Sequence, residues 1–444
     1  MSNTPPAASE EAAVPEPRTP DAQAPGEQTP VTETPAAAAV PAVDPRLLVR
    51  EQGFKGYVDE FKRKIRSGEI GSLPVVVGLV VIGIVFQALT GNFITSYNLD
   101  QITLYAVGPG IMAVGIVFVL LLGEIDLAVG SVAGLAGAVW GVLGTDMPDG
   151  LAILLGILSG TLLGAFHGLV FAKIGVPAFV VTLAGFLGWA GLQTWVMGER
   201  STIPTPIGSF VGDLTKYYFS DVAAAYGLAV AVVAAFYLAQ LRDARRRKAA
   251  ELPYRPQSEM ILRTAVLAVL VLVAAYGFNQ EQGLPLSLVI FLVILLVTDF
   301  VLRRTTYGRQ VFAVGGGIEA ARRAGINVAW IRISVFMISG TMGAIGGLFL
   351  ASATGGADRS LGGGNQLMMC IAAAVIGGTS LFGGRGKVWS ALLGILVIQS
   401  IVQGLNQMNL SSNAIQYMIT GAVLLIAVII DSVSRKTQKT AGRA

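Results

Sequence analysis

Apolar runs of about 20 residues follow one another along most of the chain, and this is the length that an α-helix needs to cross a bilayer. Charged residues make up 13% of the 444 positions and hydrophobic residues 53%, whereas soluble domains carry about 25% charged residues. Because a bilayer offers no water to the backbone, helices with internal hydrogen bonds are the expected spanning elements. The sequence therefore predicts an all-α polytopic membrane protein.

We predict about 10–12 transmembrane helices, from the number of apolar runs of sufficient length, with both termini on the cytoplasmic side. The predicted spans are residues 74–91, 99–122, 127–144, 151–173, 178–197, 222–241, 264–278, 284–302, 331–353, 367–383, 388–405 and 414–430. In this arrangement the outer loops contain few basic residues, namely Arg200, Lys216 and Arg359. The excess of Lys and Arg on the other side indicates the cytoplasmic face, but it does not distinguish ten spans from twelve.

The regions on either side of the spans differ from them in composition. Residues 1–46 are rich in Pro, Ala and Glu and lack apolar periodicity, which predicts a disordered cytoplasmic tail. Residues 47–73 place basic and apolar side chains at helical spacing, which predicts an amphipathic cytoplasmic helix ahead of the first span. Residues 74–431 form the predicted transmembrane domain, and residues 432–444 form a basic cytoplasmic tail.

A polar, arginine-rich loop over residues 303–332 separates two of the apolar runs. Its glycines Gly315–Gly317 are predicted to break the backbone. The next residues, Ile318–Ala324, are predicted to form one or two helical turns that Gly325 ends. Two interpretations remain open: a solvated linker, or a short helix parallel to the membrane that docks a cytoplasmic partner.

Two carboxylates, Glu124 and Asp126, interrupt an otherwise apolar stretch. They could lie in water at a tight cytoplasmic turn. Alternatively, they could belong to a broken helix beside a transport path, bonded to backbone amides or to a basic partner, since an unpaired charge at membrane depth is costly. Three glycines share one face of the following segment and predict close helix packing there: Gly130, Gly134 and Gly137.

Further polar side chains fall in or at the ends of the spans. We consider four of them as candidates for lining a solute path: Ser131, Thr182, Gln193 and Asn365. Helix–helix hydrogen bonding is the alternative role for each of them. The chain's single histidine, His167, is expected to be a bonded intramembrane polar residue, with a proton relay as the alternative.

Several functional classes receive no support from the sequence. One histidine and one cysteine, Cys370, leave no metal cluster and no disulfide framework. The chain contains no GxxxxGK[ST] pattern, so we predict no nucleotide site on it. Its basic residues flank the membrane rather than forming a nucleic-acid surface. We therefore expect neither an enzyme nor a nucleic-acid-binding protein.

Three motifs resemble those of a known family. They are GEIDLAVGS at 123–131, VGGGIEAARRAGINV at 314–328 and AAAVIGGTSLFGGRGKVWSALLG at 372–394. In this order they resemble the permease subunits of bacterial ABC importers for monosaccharides, above all xylose and multiple-sugar permeases. The likeness extends from about residue 74 to residue 436, and Ala128 stands where the family often has Ser.

The resemblance implies a homodimer in the bacterial inner membrane, bound to a cytoplasmic ABC ATPase and to a periplasmic sugar-binding protein. ATP and Mg would bind to the ATPase and no cofactor to this chain. The resemblance also identifies the short helix as a coupling helix docked on the ATPase, comprising Gly317, Glu319, Ala320, Ala321, Arg322, Arg323 and Gly325. The alternative function is an ion-coupled secondary sugar transporter, in which Glu124, Asp126 or His167 would be the coupling group.

Overall fold

The computed structural model describes residues 73–440 except residues 253 and 411. The predicted disordered tail over residues 1–46 and, apart from Leu73, the predicted amphipathic helix over residues 47–73 lie outside this part of the chain. Residues 441–444 at the end of the predicted basic tail also lie outside it.

The described residues form a helical bundle in which apolar helices follow one another with short connections. The first half contains α1 Leu73–Thr90, α2 Ser96–Leu121, α3 Val129–Leu143, α4 Asp149–Leu169, α5 Ala178–Met197, α6 Phe210–Asp213 and α7 Val222–Ala249. The second half contains α8 Gln257–Gln280, α9 Leu286–Arg304, α10 Thr306–Gly316, α11 Ile318–Arg323, α12 Val328–Thr354, α13 Gly364–Ile376, α14 Trp389–Gln407 and α15 Asn413–Thr440. A π-helical turn at Val170–Ile174 continues α4.

Two short antiparallel strand pairs connect loops at the end of the bundle opposite the arginine-rich loop. Strand β1 (Thr202–Pro204) pairs with β4 (Gly356–Asp358), and β2 (Tyr218–Phe219) pairs with β3 (Leu284–Pro285). No larger sheet is present in the described residues. The strands therefore fasten loops, while the helices form the body of the protein.

The predicted class is confirmed, because eight of these helices are long and apolar enough to cross a membrane. Four shorter apolar helices lie at the other predicted spans: Pro74–Thr90, Val129–Leu143, Gly364–Ile376 and Ala414–Ile429. The span predicted at 367–383 ends earlier, at Ile376: Gly377 caps the helix against α14, and the backbone turns away at Gly378, which has φ +103°. A Cβ on Gly377 would lie only 1.9 Å from the carbonyl oxygen of Ser390.

Helix α2 occupies the middle of the bundle, and 89% of the residues in its most apolar 18-residue stretch are buried. It contains Pro109, which supplies no backbone N–H, and the carbonyl of Pro109 accepts a hydrogen bond from the thiol of Cys370 on α13 at 3.3 Å. Glycines allow α2 and α12 to approach closely: a Cβ on Gly346 would come within 2.7 Å of the Gly108 carbonyl oxygen. Small residues are the usual means of close helix packing in membranes.

The predicted glycine face of α3 is also confirmed as a close-packing surface. It lies against the loop that precedes α13. A Cβ on Gly130 would come within 2.4 Å of the Gly362 carbonyl oxygen, and one on Gly134 within 2.2 Å of the Leu361 carbonyl oxygen. No side chain larger than hydrogen fits at these two positions without moving the backbone.

Helices α7 and α8 form a hairpin at the edge of the bundle. In each helix, only 11% of the residues in the most apolar 18-residue stretch are buried. The hairpin is joined to the body mainly at the end where β2 pairs with β3. Exposed side chains such as Val230, Val266 and Val269 cover its surface, as expected for helices that face lipid.

Candidate coupling element and membrane carboxylates

The arginine-rich loop folds into two short helices, α10 and α11. Helix α9 ends at Arg304, and the side chain of Thr305 caps α10 by accepting a hydrogen bond from the Gly308 amide at 3.2 Å. The Tyr307 and Ser334 hydroxyls are 2.9 Å apart, which connects α10 to the first turns of α12. Helix α10 was not predicted from the sequence, although its buried residues Val311 and Val314 lie three positions apart on one face.

The prediction that Gly315–Gly317 break the backbone is wrong for the first two glycines. Helix α10 continues through Gly316, and the chain turns only at Gly317. The reason for glycine at position 315 is close packing, since a Cβ there would lie 1.8 Å from the Leu121 carbonyl oxygen. The first glycine is thus required for a contact, whereas Gly317 has φ 177°, an extended conformation that does not itself require glycine.

The short helix that we predicted after these glycines is present as α11. It ends where expected: Gly325 has φ +77°, and the amides of Gly325 and Ile326 donate to the carbonyls of Arg322 and Ala321 at 3.0 and 3.1 Å. This pair of hydrogen bonds closes a helix C-terminus in the Schellman arrangement. Helix α11 is therefore a compact element with a defined end.

Helix α11 has a buried side and an exposed side. Ala321 is 3% exposed and packs against the body of the protein. Glu319, Ala320, Arg322 and Arg323 are exposed. Glu319 and Arg322 pair with each other at 3.0 Å, with 72% and 62% of their side chains exposed. An ion pair this exposed contributes about 0–1 kcal/mol, so its members can exchange partners at an interface.

The two carboxylates after α2 lie in different environments. Asp126 is 3% exposed; its Oδ1 accepts from the Ala128 amide at 2.9 Å and its Oδ2 from the Ser339 hydroxyl at 2.6 Å. Glu124 is half-buried, and burial raises the pKa of its carboxyl above the ordinary value, while the positive charge of Arg332 partly offsets this rise. Asp126 thus fits the interpretation of a carboxylate bonded inside the protein, and Glu124 lies between the two interpretations.

In three of the four candidate path residues, the side chain donates a hydrogen bond to a backbone carbonyl of the protein. The Ser131 hydroxyl donates to the Ala128 carbonyl at 3.0 Å, and the Thr182 hydroxyl donates to the Ala178 carbonyl at 2.9 Å. The Gln193 amide donates to the Asp358 carbonyl at 2.9 Å, which fixes α5 to β4. Asn365 is half-buried in the first turn of α13. Their role in a solute path remains a prediction.

His167 has a specific partner on the neighbouring helix. The indole N–H of Trp189 donates to its Nε2 at 2.8 Å, and His167 is 1% exposed. Because Nε2 accepts this hydrogen bond, the neutral ring carries its proton on Nδ1. Among the described residues, no group of three or more His, Cys, Asp or Glu side chains is arranged to hold a metal ion.

Two partners of these carboxylates were not predicted from the sequence: Ser339, which donates to Asp126, and Arg332, the cation near Glu124. Ser339 lies 213 positions after Asp126. A hydroxyl in an apolar helix at that separation gives no local signal of such a contact. Arg332 was noticed only as part of the basic loop, although an arginine just inside a span is a candidate partner for a membrane carboxylate.

Comparison with known proteins gives one consistent result. A family model described as branched-chain amino acid transport system / permease component matches residues 98–428. The xylose transport system permease protein of Escherichia coli (strain K12) is 35% identical over 379 residues, which cover 84% of this chain and 94% of that protein. The ribose import permease protein of Bacillus subtilis (strain 168) is 30% identical over 373 residues, which cover 84% of this chain and 96% of that protein.

No solved structure matches the chain. The curated relatives confirm the resemblance that the three sequence motifs indicated. The matched range includes the carboxylate turn, α10 and α11, together with most of the apolar helices. The chain is thus a multi-pass membrane protein and belongs to the family of branched-chain amino acid transport system permease components.

Proposed function

We propose that this chain is the membrane-spanning permease of an ATP-driven importer for a pentose such as xylose. The observation that carries the proposal is the 35% identity to a xylose permease across 94% of that relative's length. The family description mentions branched-chain amino acids, but the relatives compared above are named for xylose and ribose. A sugar therefore has stronger support as the solute than an amino acid has.

The energy for transport comes from a separate cytoplasmic ABC ATPase, which binds ATP and Mg. A periplasmic sugar-binding protein delivers the sugar, and two copies of the permease form a homodimer in the bacterial inner membrane. Both termini lie in the cytoplasm, where the arginine-rich loop is also placed by the positive-inside rule. The permease itself catalyses no covalent reaction and binds no nucleic acid.

Helix α11 is the docking element for the ATPase. Three features support this role: its exposed charges, its buried anchor Ala321 and its closed C-terminus at Gly325. A short helix that lays one face into a groove is a common mode of protein recognition. Glu319 and Arg322 are both exposed, and in the described part of the chain they form an ion pair with each other. Each side chain can therefore form a new ion pair with the ATPase instead.

The alternative function, an ion-coupled transporter, is wrong, because the matched proteins are permease components of ABC importers. The contacts of Asp126 agree with this correction. Both of its oxygens already accept hydrogen bonds inside the protein, which favours a structural role over repeated protonation.

The test is uptake by reconstituted vesicles. Permease, ATPase and binding protein are reconstituted together, and uptake of labelled xylose, ribose and leucine is measured with and without internal ATP. We expect ATP-dependent uptake of a pentose and none of leucine. Leucine uptake would overturn the sugar assignment. Uptake by the permease alone that stops on addition of a proton ionophore would overturn the importer assignment.

A further inference from the structure

Two loops and the end of helix α10 meet at the end of α2 through glycine backbones. We define the glycine junction as Gly123 after α2, Gly315 at the end of α10 and Gly383 in the loop between α13 and α14. The amide of Gly384 donates a hydrogen bond to the Leu121 carbonyl at 2.8 Å. This bond joins the loop between α13 and α14 to the last turn of α2, and Gly315 of α10 packs against both Leu121 and Gly384.

The contacts at the junction leave no space for side chains. A Cβ on Gly315 would lie 1.8 Å from the Leu121 carbonyl oxygen. One on Gly383 would lie 2.8 Å from the Gly315 carbonyl oxygen and 2.9 Å from the Gly123 amide nitrogen. Gly123 and Gly383 also have φ values of +81° and +80°, which favour glycine. Each of the three positions thus requires glycine for a reason visible in the backbone.

Helices α10 and α11 meet at the single residue Gly317, which takes part in the hydrogen bonding of both helices. The Gly317 amide donates to the Ala313 carbonyl at 3.1 Å, and the Gly317 carbonyl accepts from the Ala321 amide at 2.9 Å. Since only Gly317 separates the two hydrogen-bonded helices, displacement of α11 pulls directly on the end of α10. That end contacts Leu121 directly, without a side chain that could absorb the movement by changing rotamer.

We propose that the glycine junction transmits displacement of the docked helix α11 to α2, and that Gly315 is a positioning residue for transport. The proposal rests on the proposed function, because it assumes that an ATPase moves α11. Helix α2 is the appropriate receiver, since 89% of its apolar window is buried among other helices and packed elements pass on small shifts rather than deforming. The junction would thus link ATPase movement to the centre of the bundle.

A matched pair of variants tests this role: Gly315→Ala and Gly316→Ala. The two glycines are neighbours in the last turn of α10, so the change in helix propensity is the same. A Cβ at 315 meets the Leu121 carbonyl, whereas one at 316 meets nothing within 4 Å. ATP hydrolysis and sugar uptake are measured on the full complex with the ATPase and binding protein.

For Gly315→Ala we expect a complex that assembles and hydrolyses ATP but moves several-fold less sugar per ATP than the wild-type complex. For Gly316→Ala we expect the wild-type ratio. An unchanged ratio in Gly315→Ala would overturn the proposal, and so would an equal loss in both variants. A wild-type complex without ATP-dependent uptake would overturn the proposed function as well, which separates the two failures.

A second measurement needs no substitution at the junction and applies if Gly315→Ala does not fold. Hydrogen exchange of the Gly384 amide is followed in the wild-type complex, with and without a non-hydrolysable ATP analogue. We expect the exchange rate of this amide to change with nucleotide, because its hydrogen bond to Leu121 crosses the junction. Equal exchange rates in the two states would overturn the proposal.

Discussion

Helix α2 and the α7–α8 hairpin are similarly apolar, yet they lie in opposite surroundings. In α2, 89% of the residues in the most apolar 18-residue stretch are buried, whereas 11% are buried in the corresponding stretches of α7 and α8. Lipid tails are as apolar as leucine, so hydropathy alone does not distinguish a helix that faces protein from one that faces lipid. The difference between these regions lies in their close contacts, which involve glycines and bonded polar groups.

The glycines show this difference most directly. A Cβ on Gly110 of α2 would lie 2.6 Å from the Phe291 ring, and one on Gly115 would lie 3.0 Å from the Ser339 Cα. A Cβ on Gly227 of α7 meets nothing within 4 Å. Gly110 and Gly115 thus permit close packing in the core, whereas Gly227 in the hairpin has no such role.

The largest expected effect comes from enlarging a core glycine. In Gly347→Leu, the new side chain would begin 2.1 Å from the Ala133 carbonyl oxygen. Overpacking typically costs about 1–3 kcal/mol and sometimes more, and we expect the upper end because backbone must move. The matched control Gly227→Leu should cost little. Thermal unfolding of both purified variants, with size-exclusion chromatography to detect the loss of folded protein, measures the difference in stability. Equal stabilities would show that the core and hairpin glycines do not differ in this way.

A smaller effect is expected from the bonded polar groups of the two regions. A double-mutant cycle with Asp126→Ala and Ser339→Ala should give a coupling of about 1.5–3 kcal/mol, as for hydrogen bonds to charged groups. In the hairpin, the Gln240 amide donates to the Thr264 hydroxyl at 3.3 Å. The same cycle there should give about 0.6 kcal/mol, the average for hydrogen bonds between membrane helices.

Chemical denaturation in a single detergent measures all seven proteins of the two cycles, which share the wild type. A hairpin coupling as large as the core coupling would show that the position within the bundle does not determine the strength of these hydrogen bonds.

The pH dependence of Glu124 should give a third, smaller difference. Since burial raises the pKa of this carboxyl above 4.5, its protonated form favours the folded state. The stabilisation is fully present below pH 4.5 and is lost as the pH rises through the raised pKa. The Glu124→Gln variant should lack this decline. Melting temperatures of both proteins between pH 4 and 8 test it, and parallel curves would contradict it.

The smallest effect is expected at the exposed face of α11. Replacing Glu319 by Ala removes an ion pair whose members are 72% and 62% exposed, and such pairs contribute about 0–1 kcal/mol. The melting temperature should barely change, while co-purification with the ATPase should weaken. A large loss of stability would show that Glu319 belongs to the folded body rather than to a docking surface.

The sequence predicted the elements whose signals are local. Each predicted span has an apolar helix in the structure, and the end of α11 at Gly325 followed from the αL preference of glycine. The close-packing face of α3 followed from glycine spacing. Helix α10 was not predicted, because the run Gly315–Gly317 at its end suggested a break rather than a contact.

The contacts that position the candidate site could not be predicted from local patterns. Asp126 and Ser339 are 213 positions apart, and the glycine junction joins three segments that are distant in the sequence. Hydropathy also gave no means of separating the central α2 from the hairpin. These features depend on which helices meet, and a single sequence without aligned relatives carries no direct record of that.

The buried thiol of Cys370 has a practical consequence. It is the chain's single cysteine, it is 0% exposed, and it donates to the Pro109 carbonyl at the middle of the bundle. A water-soluble maleimide would therefore find no native target in the folded protein. One cysteine introduced at any surface position could be labelled selectively, so probes could be attached to each loop in turn without altering the natural background.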